Sequence, residues 1–331
     1  MDNRRRAPDR LGGDLVFNVV WTGTVFDHLR YFVASQMAHS AARFRFVANA
    51  CPAEQIDAME SFAAEHPGRV VEVLEVSRDT MVRHGDALDE VLRARDDGPY
   101  FAFIDPDILV QGPFLDRFAE LLQDADAVTS GKEVWSDHNV RPADHPGVNG
   151  EYFFDQDGYV FGSPHFAIYH RGPLLETTER WGVGFSSAGN DISPEARAQL
   201  VACGRDYWIF DTAKIVNILL QGDGGKLVHQ EDPALLHIGS VSLYISPPST
   251  APAAKGRAGW GEDWGQQAGM ATRFEVARFT AEVLDAVCAG RPAPDLPSGV
   301  DAAIAPRLRM VRNALIDLVA TYGPERVEEG R

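Results

Sequence analysis

Residues 101–107 read Phe101-Ala102-Phe103-Ile104-Asp105-Pro106-Asp107. Four apolar residues run straight into two carboxylates one position apart. The apolar run has the make-up of a strand buried on both faces. Carboxylates at the end of such a strand are costly unless something neutralises them. Hard divalent cations such as Mg²⁺ or Mn²⁺ prefer oxygen ligands and would do so. Pro106 fixes φ and removes a backbone donor, so the chain turns there and carries both acids to the sheet edge. The plain alternative is a pair of acids solvated in a surface loop.

Working back from this stretch, Leu15-Val16-Phe17-Asn18-Val19-Val20 reads as a strand, with Trp21-Thr22-Gly23-Thr24 as a turn. Asp27 is placed to cap a helix whose apolar face holds Leu29, Phe32, Val33 and Met37. Phe44 to Val47 is a second strand, and Pro52 opens a helix through Ile56, Met59 and Phe62. Val70 to Val76 is a third strand, followed by a helix through Ala87, Leu88, Val91 and Leu92. Strands alternating with helices of this length make βαβ units and a mostly parallel sheet. Ligands of such sheets bind beyond the carboxyl ends of the strands, where Asp105 and Asp107 fall.

Working forward, Pro113 starts a helix through Phe114, Leu115, Phe118, Leu121 and Leu122, and Ala127-Val128-Thr129 is a short strand. Trp135 to Gly158 is a long loop without a clear period, and loops of that length are usually functional. Strand-like alternation returns between Tyr159 and Tyr169, around Pro164-His165-Phe166. Trp181 to Asp191 is a Gly/Ser-rich loop, and Pro194 begins a helix ending near Gly204. Ile209-Phe210-Asp211 precedes a helix with Ile215, Val216, Ile218 and Leu219, and Leu235 to Gly239 follows. Two amphipathic helices close the chain, over Phe274–Val287 and Ala302–Val319. They pack on the main domain or on a second subunit, the latter giving a homo-oligomer.

The formal net charge of −17 argues against nucleic acid as a partner, because phosphate contacts need Lys and Arg. A bound cation still allows a nucleotide diphosphate. No apolar run approaches the roughly 20 residues of a membrane span, and the N-terminus lacks the apolar core of a signal peptide. Cys51, Cys203 and Cys288 are far apart and not in metal-ligand spacing, which fits free thiols in a reducing cytoplasm. The divisions expected are a disordered tail at 1–13, a catalytic domain at 14–245, a loop or lid at 246–268 and a helical extension at 269–331.

The order of three strand–helix pairs, then an apolar strand into Asp-x-Asp, resembles the nucleotide-sugar glycosyltransferases of the GT-A fold, in particular bacterial members of family 2. His84-Gly85-Asp86-Ala87-Leu88-Asp89 is similar to a His-Gly segment these enzymes carry near the nucleotide. Ser163-Pro164-His165-Phe166 resembles their His-Pro-x-Phe stretch, and Phe210-Asp211-Thr212 followed by His237-Ile238-Gly239 resembles their C-terminal pattern. The resemblance implies a GT-A-like, Rossmann-related α/β sheet with a helical C-terminal extension. It also implies transfer of a hexose from a UDP-, GDP- or dTDP-sugar to a hydroxyl of a glycan, lipid or small molecule, with Mn²⁺ or Mg²⁺.

By the same resemblance Asp107 is the direct metal ligand, Asp105 meets the ribose or a metal-bound water, and His237 completes the cation site. Inverting members place Glu-Asp before the late helix; here Phe210-Asp211 stands there, leaving Asp211 as the base or simply as a helix cap. Val20, Trp21, Thr22 and Gly23 fall where the base and ribose are met, with His84 and Asp86 next. The acceptor side is expected from Trp135, His138, His165, Trp181 and Asn190. The competing readings are a retaining enzyme on the same fold, a haloacid-dehalogenase-type phosphatase and a non-catalytic sugar-nucleotide-binding protein. The phosphatase motif continues with Thr or Val where Leu109 stands here.

Overall fold

The computed structural model describes residues 11–130, 165–187, 191–203, 212–239, 241–242, 270–300, 302 and 304–323. The first half alternates strand and helix as expected. It runs β1 (Val16–Thr22), α1 (Phe26–Ala38), β2 (Arg43–Asn49), α2 (Ala53–Glu65), β3 (Val70–Ser77), α3 (His84–Ala94) and β4 (Tyr100–Ile104). Then follow β5 (Ile108–Val110), α4 (Leu115–Leu121), β6 (Ala127–Ser130), β7 (Phe166–His170), α5 (Arg171–Trp181), α6 (Pro194–Ala202) and α7 (Lys214–Gly222). The chain continues through β8 (Leu227–His229) and β9 (Leu235–His237) to α8 (Met270–Cys288) and α9 (Ala305–Tyr322).

Among the described residues one sheet has seven strands in the order β3-β2-β1-β4-β7-β6-β8. Strands β1 to β4 are mutually parallel where they pair, β7 is antiparallel to both β4 and β6, and β8 is parallel to β6. The strand order reverses between β1 and β4. At such a switch, beyond the carboxyl ends of the strands, open α/β sheets place their ligands, and the carboxyl end of β4 lies there. The result is a mixed α/β fold with a mostly parallel sheet between two layers of helices.

Period-2 alternation sends neighbouring residues of each central strand to opposite cores. Phe17, Val19 and Trp21 of β1 and Ala102 and Ile104 of β4 join the core built with α1, α2 and α4. Val20, Phe101 and Phe103 join the opposite core, built with α3, α5, α6 and α7. The expected turn at Trp21-Thr22-Gly23-Thr24 is shorter, because β1 runs on through Thr22 and the turn falls on Gly23 and Thr24, with Gly23 left-handed at φ 56°. Asp27 is not a cap either: it lies in the first turn of α1 and accepts a hydrogen bond from Gln55 Nε2 at 2.6 Å.

The closing helices contribute Val276, Phe279, Val283, Leu284, Leu308, Val311, Leu315 and Leu318 to the same core as α1. Of the two expected packings for α8 and α9, the one seen is against the main body of the chain. Among the described residues no helix is long and apolar enough to cross a membrane.

Candidate functional site

The tip of β4 gathers four ionisable side chains from three parts of the chain. The first link is the turn after the strand, closed by Ile108 N–H donating to the Asp105 carbonyl at 3.3 Å. Pro106 sits inside that turn, as its fixed φ requires. The second link is β7, whose antiparallel pairing puts Phe166 opposite Ile104. His165, one residue earlier, therefore lies beside Asp105, whose N–H donates to the His165 carbonyl at 2.7 Å. The third link is the small β5–β9 ladder, which sets His237 opposite Ile108. Short antiparallel ladders thus deliver two histidines to the acids from 60 and more residues away.

The distances are those of one site. His165 Nδ1 lies 2.9 Å from Asp105 Oδ2, and His237 Nε2 lies 3.3 Å from Asp107 Oδ1 and 3.9 Å from Asp105 Oδ2. The two imidazole rings are 4.1 Å apart between centroids. Asp105, His165 and His237 each offer a ligand atom, and these atoms all lie within 4.8 Å of one another. Two imidazoles and a carboxylate at that spacing form a donor set for a divalent transition metal. Asp107 is buried beside them. Burial works to raise its carboxyl, but the charge and hydrogen bond of His237, with His165 behind it, leave it below the ordinary value.

Asp105, expected at the ribose or a metal-bound water and among the metal residues, is the carboxylate of the converging trio, and Asp107, expected as the direct ligand, stands against His237. His165, expected on the acceptor side, belongs to the trio. Its signal in the sequence was the Pro164-His165-Phe166 stretch, but its partner is set by strand pairing that no local pattern reveals.

His84 opens α3 and turns its ring toward the same acids. Its Nδ1 is 3.1 Å from Thr212 Oγ1 and its Nε2 is 3.7 Å from Asp105 Oδ1. Asp86 is tied instead to Arg83, at 2.9 Å, and to the Ser186 hydroxyl. The Trp21 indole is fully buried, edge-on to Phe26 and Phe46, and the Trp21 carbonyl accepts from Cys51 Sγ at 3.4 Å, so the residue belongs to the core. Val20 is likewise a core residue, whereas Thr22 is half-buried and Gly23 follows at the strand end. Trp181 closes α5 and donates its indole N–H to Asp223 at 2.8 Å. Asp211, Trp135, His138 and Asn190 lie outside the described residues, as does the expected lid at 246–268.

Behind His165, the buried His229 shares a hydrogen bond with Thr129 Oγ1 at 3.0 Å. Burial, reinforced by the charge of His165, pushes its imidazole down to about 3, so it stays neutral.

The segment 183–187 is held against α3. Asp89 accepts the Phe185 N–H at 2.9 Å, and Gly85 lets the backbone of Phe185 and Ser186 approach where any Cβ would collide. Burial pushes the Asp89 carboxyl up to about 6 despite those N–H groups. The folded chain therefore keeps a proton there between pH about 4 and 6 that the unfolded chain releases, so Asp89 costs stability as pH rises through that window. Asp89→Asn mimics the protonated form. Its unfolding free energy relative to wild type should grow by about 3 kcal/mol, two pK units, between pH 4 and pH 7. Urea melts across that range check it, and a pH-independent difference contradicts the burial account.

No protein-family model matches the chain, and no curated protein matches its sequence. Among solved structures it is similar to the mannosyltransferase PcManGT from Pyrobaculum calidifontis, crystallised with GDP-Man and Mn²⁺. That match is at 16% identity and TM-score 0.35, over 92% of this chain and 69% of that one. It is also similar to residues 1–349 of TarS from S. aureus, at 11% identity and TM-score 0.41, over 93% and 90% of the two chains. A third is GalNAc-T7 with UDP, GalNAc and Mn²⁺, at 11% identity and TM-score 0.43, over 97% and 61%. Each likeness is loose, and the chemistry has to be read from this chain's own residues.

Proposed function

We propose that this chain is a metal-dependent glycosyltransferase, moving a sugar from a nucleoside-diphosphate donor to an acceptor hydroxyl. The observation that supports this most is the convergence of Asp105, His165 and His237 at the carboxyl end of the central strand. That is where a sheet of this topology takes its ligand. The three residues would hold a divalent cation, with Asp107 supplying a second carboxylate beside His237. The fit rests on donor chemistry: His237 Nε2 faces two carboxylates, and a cation is what relieves that crowd of acids at a strand end. Two nitrogen donors among three favour Mn²⁺ over Mg²⁺, which selects oxygen. Once bound, such an ion supplies a Lewis acid for the charge growing on a leaving diphosphate.

The remaining roles belong to the chain. His84, oriented by Thr212, is in reach of a donor oxygen lying over Asp105. Thr22 ends β1 and Gly23 follows it, and these two are the proposed backbone edge for the base and ribose. Asp211, adjacent to Thr212 in the chain, is the proposed base that takes the acceptor proton in an inverting displacement. A UDP-, GDP- or dTDP-hexose is the donor class, and the unpaired thiols Cys51, Cys203 and Cys288 suit a cytoplasmic enzyme.

Thermal unfolding with added ligand tests the reading. Mn²⁺ should raise the melting temperature, by the equivalent of about 2.7 kcal/mol at 100 times its Kd, and Mg²⁺ should do less at equal concentration. A sugar nucleotide added with Mn²⁺ should raise it further. No response to Mn²⁺, or a larger response to Mg²⁺, contradicts the proposed donor set.

A further inference from the structure

The two acids stand on a turn, and that turn is held from outside by two consecutive residues of α1. Gln36 is fully buried, and its Nε2 donates to the Ile108 carbonyl at 2.8 Å and to the Asp105 carbonyl at 3.2 Å. Those two carbonyls mark the start and end of the Asp105–Ile108 turn. Ser35, also fully buried, accepts the Val110 N–H on its Oγ at 3.0 Å and donates to the Phe32 carbonyl at 2.6 Å. The Gln36 Oε1 has no hydrogen-bond partner among the described residues.

An orphaned buried acceptor costs roughly 1–3 kcal/mol. An apolar side chain of the same length would avoid that cost but leave the buried Ile108 carbonyl without its donor, so for folding alone the two choices roughly offset. What the amide does uniquely is grip both ends of the acid-bearing turn. The grip reaches further through β5. Ile108 and Val110, the residues α1 holds, pair with His237 and Leu235 of β9. One helix therefore sets both the carboxylates and the histidine that faces them.

We propose that Gln36 and Ser35 are positioning residues for the cation site, fixing Asp105 and Asp107 on the turn and His237 through the β5–β9 ladder. This rests on the metal reading above. Groups that orient metal ligands typically cost 10–100-fold in affinity when removed. Gln36→Met keeps length and apolar bulk while deleting both donors, and Ser35→Ala deletes the acceptor for Val110 N–H. Leu174→Ala, a cavity in α5 on the opposite core, serves as a variant with a purely structural cost.

Mn²⁺ affinity is measured by electron paramagnetic resonance of free ion, and stability by melting in EDTA. Gln36→Met should weaken Mn²⁺ binding about tenfold or more while melting within a few degrees of wild type. Ser35→Ala should weaken it severalfold. Leu174→Ala should melt well below wild type yet bind Mn²⁺ normally. If Gln36→Met does not fold, Ser35→Ala carries the test alone. Wild-type Mn²⁺ affinity in both folded variants, or a loss in Leu174→Ala matching theirs, overturns the positioning role and leaves the metal site standing. Absence of Mn²⁺ binding by the wild-type protein overturns both together.

Discussion

Asp105→Ala is expected to abolish Mn²⁺ binding and to lower sugar transfer on the order of 1,000-fold, the equivalent of about 4 kcal/mol. The size follows from what Asp105 does. It is the carboxylate of the trio, it lies 2.9 Å from His165, and it is approached by His84 and His237 at 3.7 and 3.9 Å. Its removal leaves His165 without its carboxylate and His237 with Asp107 alone, which breaks the proposed donor set. Melting in EDTA should change little, because the side chain is partly exposed. Transfer within tenfold of wild type would remove Asp105 from the chemistry. Equal loss of folding would reduce it to a structural residue.

Arg45→Leu is expected to cost 3–5 kcal/mol of stability, about the range for removing one partner of a buried ion pair. Arg45 is 3% exposed in the middle of β2. It donates to Asn18 Oδ1 at 3.0 Å, to both oxygens of Asp97 at 2.7 and 2.9 Å, and to Glu72 at 2.8 Å. The hydrogen bond from Arg95, joined by Arg45 and only partly offset by burial, holds the Glu72 carboxyl down at about 2. Arg45 likewise holds Asp97 below the ordinary carboxylate value. Groups depressed in the fold add stability above their unfolded pKa that is lost as pH falls through the folded one. For Glu72 that window runs from the usual 4.5 down to about 2. Arg45→Leu should therefore lose stability mainly at neutral pH and show a shallower acid limb. A denaturant melt within about 1 kcal/mol of wild type at pH 7 contradicts the network's role.

Much of the fold was legible because its signals are local. The run from Phe101 to Ile104 is apolar at every position, and only a strand covered on both faces needs that. Period 2 in Phe17, Val19 and Trp21 also shows in the sequence, and followed one residue further it would have placed the Trp21 indole in the core. Helix α5 was missed because only Leu174 and Thr177 are buried along its 11 residues, too few to mark a face. Strand β5 was missed because three apolar residues after a turn carry no period of their own.

The site was half legible. Asp105, Asp107 and His237 stand out as acids after a strand and as a histidine in an apolar run. The grouping of His165 with them depends on β4–β7 pairing across more than 60 residues, which only the folded chain defines. Gln36 and Ser35 gave no sequence signal at all, being two polar residues inside an otherwise ordinary amphipathic helix.

Anomalous scattering from a crystal grown with Mn²⁺ tests the central claim most directly. The result expected is one strong peak in contact with Asp105, His165 and His237, with Asp107 beside it. No peak at that place, or a peak held by other residues, contradicts it.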